Sequence, residues 1–163
     1  VYEMGKGVQG PQDVASALSV LTLAGLKAKD ALAGVGAALN LAIAGDISIE
    51  QSAKTLVQVS TALGYTATGF DHIADVVAKT AAVSMSSVES LSEAFKSASA
   101  VGKLYGVTLV DIGTSLAALS NLGIQGSAAG TSLKNFYKES KLKRNNALYF
   151  HNSLLCLIFW NTT

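Results

Sequence analysis

A single cysteine, Cys156, leaves the chain no partner for an internal disulfide, so nothing cross-links its fold and no oxidising compartment is implied. That points to a chain that folds in a cytoplasm. Long apolar runs are also missing. Ala31 to Gly45 is uncharged but contains Asn40, and Leu154 to Trp160 is shorter still; a membrane-crossing helix needs roughly 20 apolar residues. The first stretch therefore reads as a buried or closely packed helix. Residues 1 to 10 carry glycine and charge where a secretory signal would place an apolar run behind a basic start. No segment shows the alternation and β-branched enrichment of a strand, apart from short ambiguous pieces such as Val107 to Val110.

Hydrophobic residues make up 50% of the chain, enough for a core and too many for disorder. Much of that half is alanine, the best helix former but a side chain with little surface to bury. Any core must therefore come from helices that approach closely along small-residue faces. Charge is unevenly placed. Residues 1 to 133 hold seven lysines against ten carboxylates, net −3, whereas residues 134 to 163 hold five basic residues against Glu139, net +4. Five aromatics fall in the first part and six in the second, including Trp160. Composition thus divides the chain into a flexible lead at 1–10, a helical region at 11–133, and a basic, aromatic tail at 134–163. The start at Val1 reads as an internal piece of a longer polypeptide.

Helix stops and starts are the most regular feature. Gly25, Gly45, Gly64, Gly106 and Gly123 each follow an alanine- or leucine-rich segment, and Leu26, Ile47, Tyr65, Val107 and Ile124 follow within two residues. Glycine accepts the left-handed conformation that ends a helix, and the next apolar side chain folds back on the last turn. Start signals lie just beyond: Ser48 to Gln51, Thr68 to Asp71, Ser86 to Glu89 and Thr108 to Asp111 have capping-box spacing, and Gly10-Pro11 puts proline at a first helical position. Val88, Leu91, Phe95, Ala98 and Val101 form one helical stripe; Leu109, Ile112, Leu116 and Leu119 form another. Val107 and Ile112 stand at the positions of a hydrophobic staple. The pattern predicts helices near 11–24, 27–44, 48–63, 68–83, 86–105, 108–122 and 125–140. The fold class is all-α, a series of short antiparallel helical hairpins with glycine-terminated, Ser/Thr-capped helices. Periodicity leaves open whether they close into a globule or stack as an array.

Four constellations invite a chemical reading. Gly123, Gly126 and Gly130, followed by Thr131 and Ser132, look like a phosphate-cradling loop. A P-loop needs G-x-x-x-x-G-K-[ST] after a buried strand; here the spacing is short, Thr131 replaces the lysine, and a leucine-rich helix precedes it. Gly5-Lys6-Gly7-Val8-Gln9-Gly10 matches G-x-G-x-x-G to the letter but follows no strand. His72 lies beside Asp71 and one turn from Asp75, though a metal would need further ligands, and His151 and Cys156 belong to the tail. Lys134, Lys138, Lys141, Lys143 and Arg144, interleaved with Phe136 and Tyr137, could touch phosphates; lysines near a helix C-terminus also complement its dipole, which is the reading adopted. No histidine–acid pair is placed to activate a serine or threonine. The expectation is no catalytic residue, no cofactor-binding residue, no metal site, no specific nucleic acid and no small-molecule substrate.

The stretches "LAGLKAKDALAGVGAALNLAIAGDISIEQSA" (23–53), "ADVVAKTAAVSMSSVESLSEAFK" (74–96) and "LYGVTLVDIGTSLAALSNLGIQGSAAGTSL" (104–133) resemble the conserved N-terminal region of bacteriophage tail tape measure proteins. The G-I-x-G-S-x-A-G-T-x-L piece is the most specific, and its glycines then belong to helix packing. The resemblance implies a fragment of a virion structural protein of a long-tailed phage or prophage, assembled in the host cytoplasm. It also implies tail-length determination, no catalytic residues, and as partners the chain itself, the tail tube, assembly chaperones and the tail tip, with the host membrane during DNA delivery. The likeness stops after Leu133, where a truncated or frame-altered end is expected. The competing reading is a membrane-active helical protein, motivated by Ala31 to Gly45 and the apolar tail.

Overall fold

The computed structural model describes residues 10–140, in which the chain forms helices at Pro11–Leu23 (α1), Ala28–Gly45 (α2), Ile49–Leu63 (α3), Phe70–Ala82 (α4), Val88–Leu104 (α5), Leu109–Asn121 (α6) and 126–140 (α7). A short 3-10 turn, Ala67–Gly69, leads into α4, and no strand occurs among the described residues. The all-α reading holds, and each expected helix is present.

Five corners end on one backbone device. A left-handed residue follows the helix, and the apolar residue after it donates its N–H to the carbonyl five residues back. The bonds are Leu26 to Leu21 (3.3 Å), Ile47 to Ala42 (3.2 Å), Tyr65 to Ser60 (2.9 Å), Val107 to Gly102 (3.0 Å) and Ile124 to Leu119 (2.9 Å). This is the Schellman arrangement, which satisfies carbonyls a helix end would leave orphaned. Gly25, Gly64, Gly106 and Gly123 supply the positive φ, as expected. Gly45 does not: it closes α2, and Asp46, at φ 51°, takes the left-handed position. The reason is packing. A Cβ on Gly45 would lie 2.6 Å from the Val88 Cβ, so the missing side chain serves the approach of α5.

The starts divide similarly. Ser48 Oγ accepts the Gln51 N–H at 3.1 Å, and Thr108 and Asp111 form a reciprocal box, each accepting the other's backbone N–H at 3.2 Å. At α1, Pro11 is the first helical residue and the Asp13 carboxylate accepts the Gly10 N–H. Two expected boxes are displaced. Ser86 is buried with its hydroxyl donating to Ser120 Oγ at 2.8 Å, so Ser87 caps α5 and accepts the Ser90 N–H. Thr68 sits inside the 3-10 turn, its hydroxyl paired with that of Thr66, and α4 begins after it.

The chain stacks in two rows. Besides touching its neighbour in sequence, each helix packs against the next but one: α1 on α3 and α3 on α5 in one row, α2 on α4 and α4 on α6 in the other. Gly130 of α7 lies on Ala94 of α5 and continues the first row. One core runs through the array, from Ala17 and Leu21 of α1 to Leu133 and Tyr137 of α7. At the corner between α2 and α3 the chain turns through 114°, short of the antiparallel hairpin expected there. Small residues set the spacing: a Cβ on Gly34 would meet the Phe70 ring at 3.0 Å, and one on Gly102 would meet Ile112 at 2.8 Å. The composition change at Lys134 is not a break in structure, because α7 runs through it. Ala31 to Gly45 has one face in the core and one exposed. No single helix among the described residues is long and apolar enough to cross a membrane.

Because Thr108 caps and Thr68 does not, Thr108→Ala is expected to cost about 1 kcal/mol of stability, and Thr68→Ala less than about 0.5 kcal/mol. Chemical denaturation of the two variants checks this; equal losses would contradict the assignment of the α4 start.

Candidate functional site

The glycine-rich segment between α6 and α7 has its shape from its neighbours. Gly123 ends α6 at φ 84°, and Gly126, at φ 58°, opens α7 with Ser90 Oγ 3.5 Å from where its Cβ would be. At Gly130 the approach is tighter: a Cβ would lie 2.5 Å from the Ala94 carbonyl oxygen and 2.7 Å from Ser97 Cβ. The concave side that a phosphate would need is filled by α5. Thr131 and Ser132 point away, exposed, while Ala129 and Leu133 are buried.

The polar residues of the same segment perform a task that sequence reasoning missed. The corner between α4 and α5 has no glycine. Its backbone is bound instead by Asn121, whose Oδ1 accepts the Met85 N–H at 3.1 Å and whose Nδ2 donates to the Val83 carbonyl at 3.4 Å. Gln125 Nε2 donates to the Met85 carbonyl at 2.6 Å, and Ser86 donates to Ser120. The available signal was the absence of glycine between Gly69 and Gly102 across a predicted corner: without a left-handed residue, the loop's polar groups need partners from elsewhere.

The remaining candidates are scattered. His72 stands exposed, edge-on to Tyr65 with ring centroids 6.2 Å apart, and Asp75 faces Lys79 at 4.0 Å on the same exposed surface. They rim an open cleft of about 400 Å³ between α4 and α6, floored by Val76, Gly113 and Ala117. Thr80 and Thr114 also line it, and each donates its hydroxyl hydrogen to a carbonyl of its own helix. Among the described residues, no group of three or more His, Cys, Asp or Glu could hold a metal. The second candidate loop lies mostly outside the described residues, which include only Gly10 of it; His151, Cys156, Lys141, Lys143, Arg144 and Leu154 to Trp160 lie outside them too.

The basic and aromatic cluster is split by α7. Phe136 is exposed, whereas Tyr137 is buried against α5, its ring 3.7 Å from where a Gly102 Cβ would be. Tyr137 is thus a core residue and no stacking platform for bases. Burial raises its pKa above the ordinary 10.0; the nearby Ser115 hydroxyl lowers it and the Asp111 carboxylate raises it further. Ser115 donates its hydroxyl hydrogen to the Asp111 carbonyl, and the Tyr137 hydroxyl is buried without a hydrogen-bond partner, as are those of Ser52 and Ser99. What the arrangement can do is pack: the segment carries donors and acceptors for its own corner and glycines for its own neighbours.

Gly130→Ala is expected to destabilise by about 1–3 kcal/mol through overpacking, despite a helix-propensity gain of about 1 kcal/mol; a stabilised variant would refute the close approach. Since the folded pKa of Tyr137 is the higher one, its contribution is complete below about pH 10 and is lost as pH rises through the folded value. Tyr137→Phe should therefore be near neutral at pH 7 and should flatten the alkaline fall in stability, measured by denaturation from pH 8 to 11.

Comparison with known proteins gives a consistent picture. The family described as phage-related minor tail protein matches residues 2–149. The tape measure protein of Pneumococcus phage Dp-1 is 27% identical over 123 residues, which cover 76% of this chain and 11% of that protein. No solved structure matches the chain.

Proposed function

The chain belongs to the family of phage-related minor tail proteins and has a structural role in a phage tail, and on that premise we propose that it is part of a tape measure protein acting without catalysis. The observation that supports this reading is the filling of the glycine-rich segment by α5: Gly123 to Gly130, which resemble a phosphate loop, form a helix-packing surface. A two-row helical array is suited to holding other chains by shape, since its residues are used in contacts between helices. The partners we propose are those of tail assembly, namely the tail tube, assembly chaperones and the tail tip, encountered in the host cytoplasm before the tail is complete. Tail-length determination is proposed for the whole protein, of which the matched stretch is a small share of the relative's length.

The experiment is mass spectrometry of purified tails, together with a stop codon placed within residues 109–140 of the phage gene. Peptides from 11–140 should be present at a few copies per tail, and the stop codon should abolish tails of normal length. Tails free of those peptides, or unchanged by the stop, would overturn the proposal.

A further inference from the structure

The outer face of α2 is an apolar surface that no other helix among the described residues covers. Leu32 and Ile43 are 65% and 56% exposed, Leu39 and Val35 are half-buried, and the space beside Gly36 is open. From Ala31 to Gly45 no residue is charged. The corresponding face of α4, next in the same row, carries Asp71, Asp75 and Lys79, all exposed. Exposed apolar patches of this kind mark association surfaces.

The order of residues on that face says what fits it. Leu32, Gly36, Leu39 and Ile43 are spaced by four, three and four, the seam spacing of paired helices. That spacing is the same from both ends. Laid antiparallel against a copy of itself, α2 brings Leu32 opposite Ile43, Gly36 opposite Leu39, and Lys29 opposite Asp46, all in one register centred between Ala37 and Ala38. Large meets large at the flanks, a leucine enters the gap left by a glycine near the centre, and the charges flanking the apolar stripe are complementary. Lys29 and Asp46 are both exposed, and neither takes part in the ion pairs among the described residues. Antiparallel pairing also sets the positive end of each helix dipole beside the negative end of the other.

We propose that this face is the interface of a two-fold symmetric dimer of the chain, formed by α2 against α2 of a second copy in that register. An isologous contact uses each pair twice. A lipid surface has no use for the register and no reason to prefer one cation and one anion at opposite ends. The proposal rests on α2 alone and is independent of the tail assignment.

Sedimentation equilibrium of the full chain, over micromolar to hundreds of micromolar, is the first measurement; a monomer–dimer equilibrium is expected. Leu32→Glu with Ile43→Glu should weaken it at least tenfold while helicity by circular dichroism stays unchanged. Lys29→Glu alone and Asp46→Lys alone should each weaken it about two- to thirtyfold, the worth of two exposed ion pairs, and the double variant should restore it. Leu32→Cys and Ile43→Cys, each in a chain also carrying Cys156→Ser, should form a 32–43 disulfide only when the two variants are mixed. In each variant alone the matching residues stand about 16 Å apart at 1.5 Å per residue, beyond disulfide reach. A chain monomeric throughout, a dimer indifferent to the glutamates, or a 32–32 disulfide overturns the proposal. So does a monomer that floats with phosphatidylglycerol vesicles through Leu32 and Ile43, which would assign the face to lipid.

Discussion

Backbone proximity between helices is the constraint on which the structure depends. Where Gly130 meets the Ala94 carbonyl, Gly45 meets Val88 and Gly113 meets Thr80, there is no room for a single added carbon. Alanine-rich helices bury little side-chain area each, so dispersion contacts must be gained by bringing the axes together. The buried serines and threonines fit the same logic. Thr55 bonds across to Ser92 at 3.1 Å, while Ser52 and Ser99 are buried unpaired, small enough to be tolerated in a seam that a larger residue would force open.

That constraint accounts for the shape of the glycine-rich segment between α6 and α7. A ligand loop needs a cavity with donors pointing into it, whereas here the glycines mark the places where cavities are closed. The open cleft between α4 and α6 has an apolar floor, and both of its threonine hydroxyls donate back to their own helices. Family membership gives the chain a structural role in a phage tail.

Most of the helix pattern could be read from the residues because its causes are local. A Schellman corner is written in two adjacent positions, and the stop after α1, α3, α5 and α6 falls on the glycine expected. The Thr108–Asp111 box is equally local. Apart from Thr68, held locally by Thr66, failures occur where a distant residue competes. Gly45 is claimed by Val88, Ser86 by Ser120, and Tyr137, which looked like part of a basic surface, by Gly102 and the core. The two-row arrangement was undecidable for a related reason: which helix meets which depends on contacts between next-but-one elements, and these leave no periodicity in the chain. Of the candidate site, the packing role of the glycines was legible, but the role of Asn121 and Gln125 was not, since an amide side chain gives no sign of its partner.

The α4–α5 corner differs from the others in when it can exist during synthesis. A Schellman turn is complete once six consecutive residues have left the ribosome. The Val83 to Ser86 bend is tied by residues 34 to 40 positions further along the chain. A nascent chain therefore carries the first half of the array with that bend unfastened until α6 and the Gln125 turn have emerged, and the hinge closes from its far side.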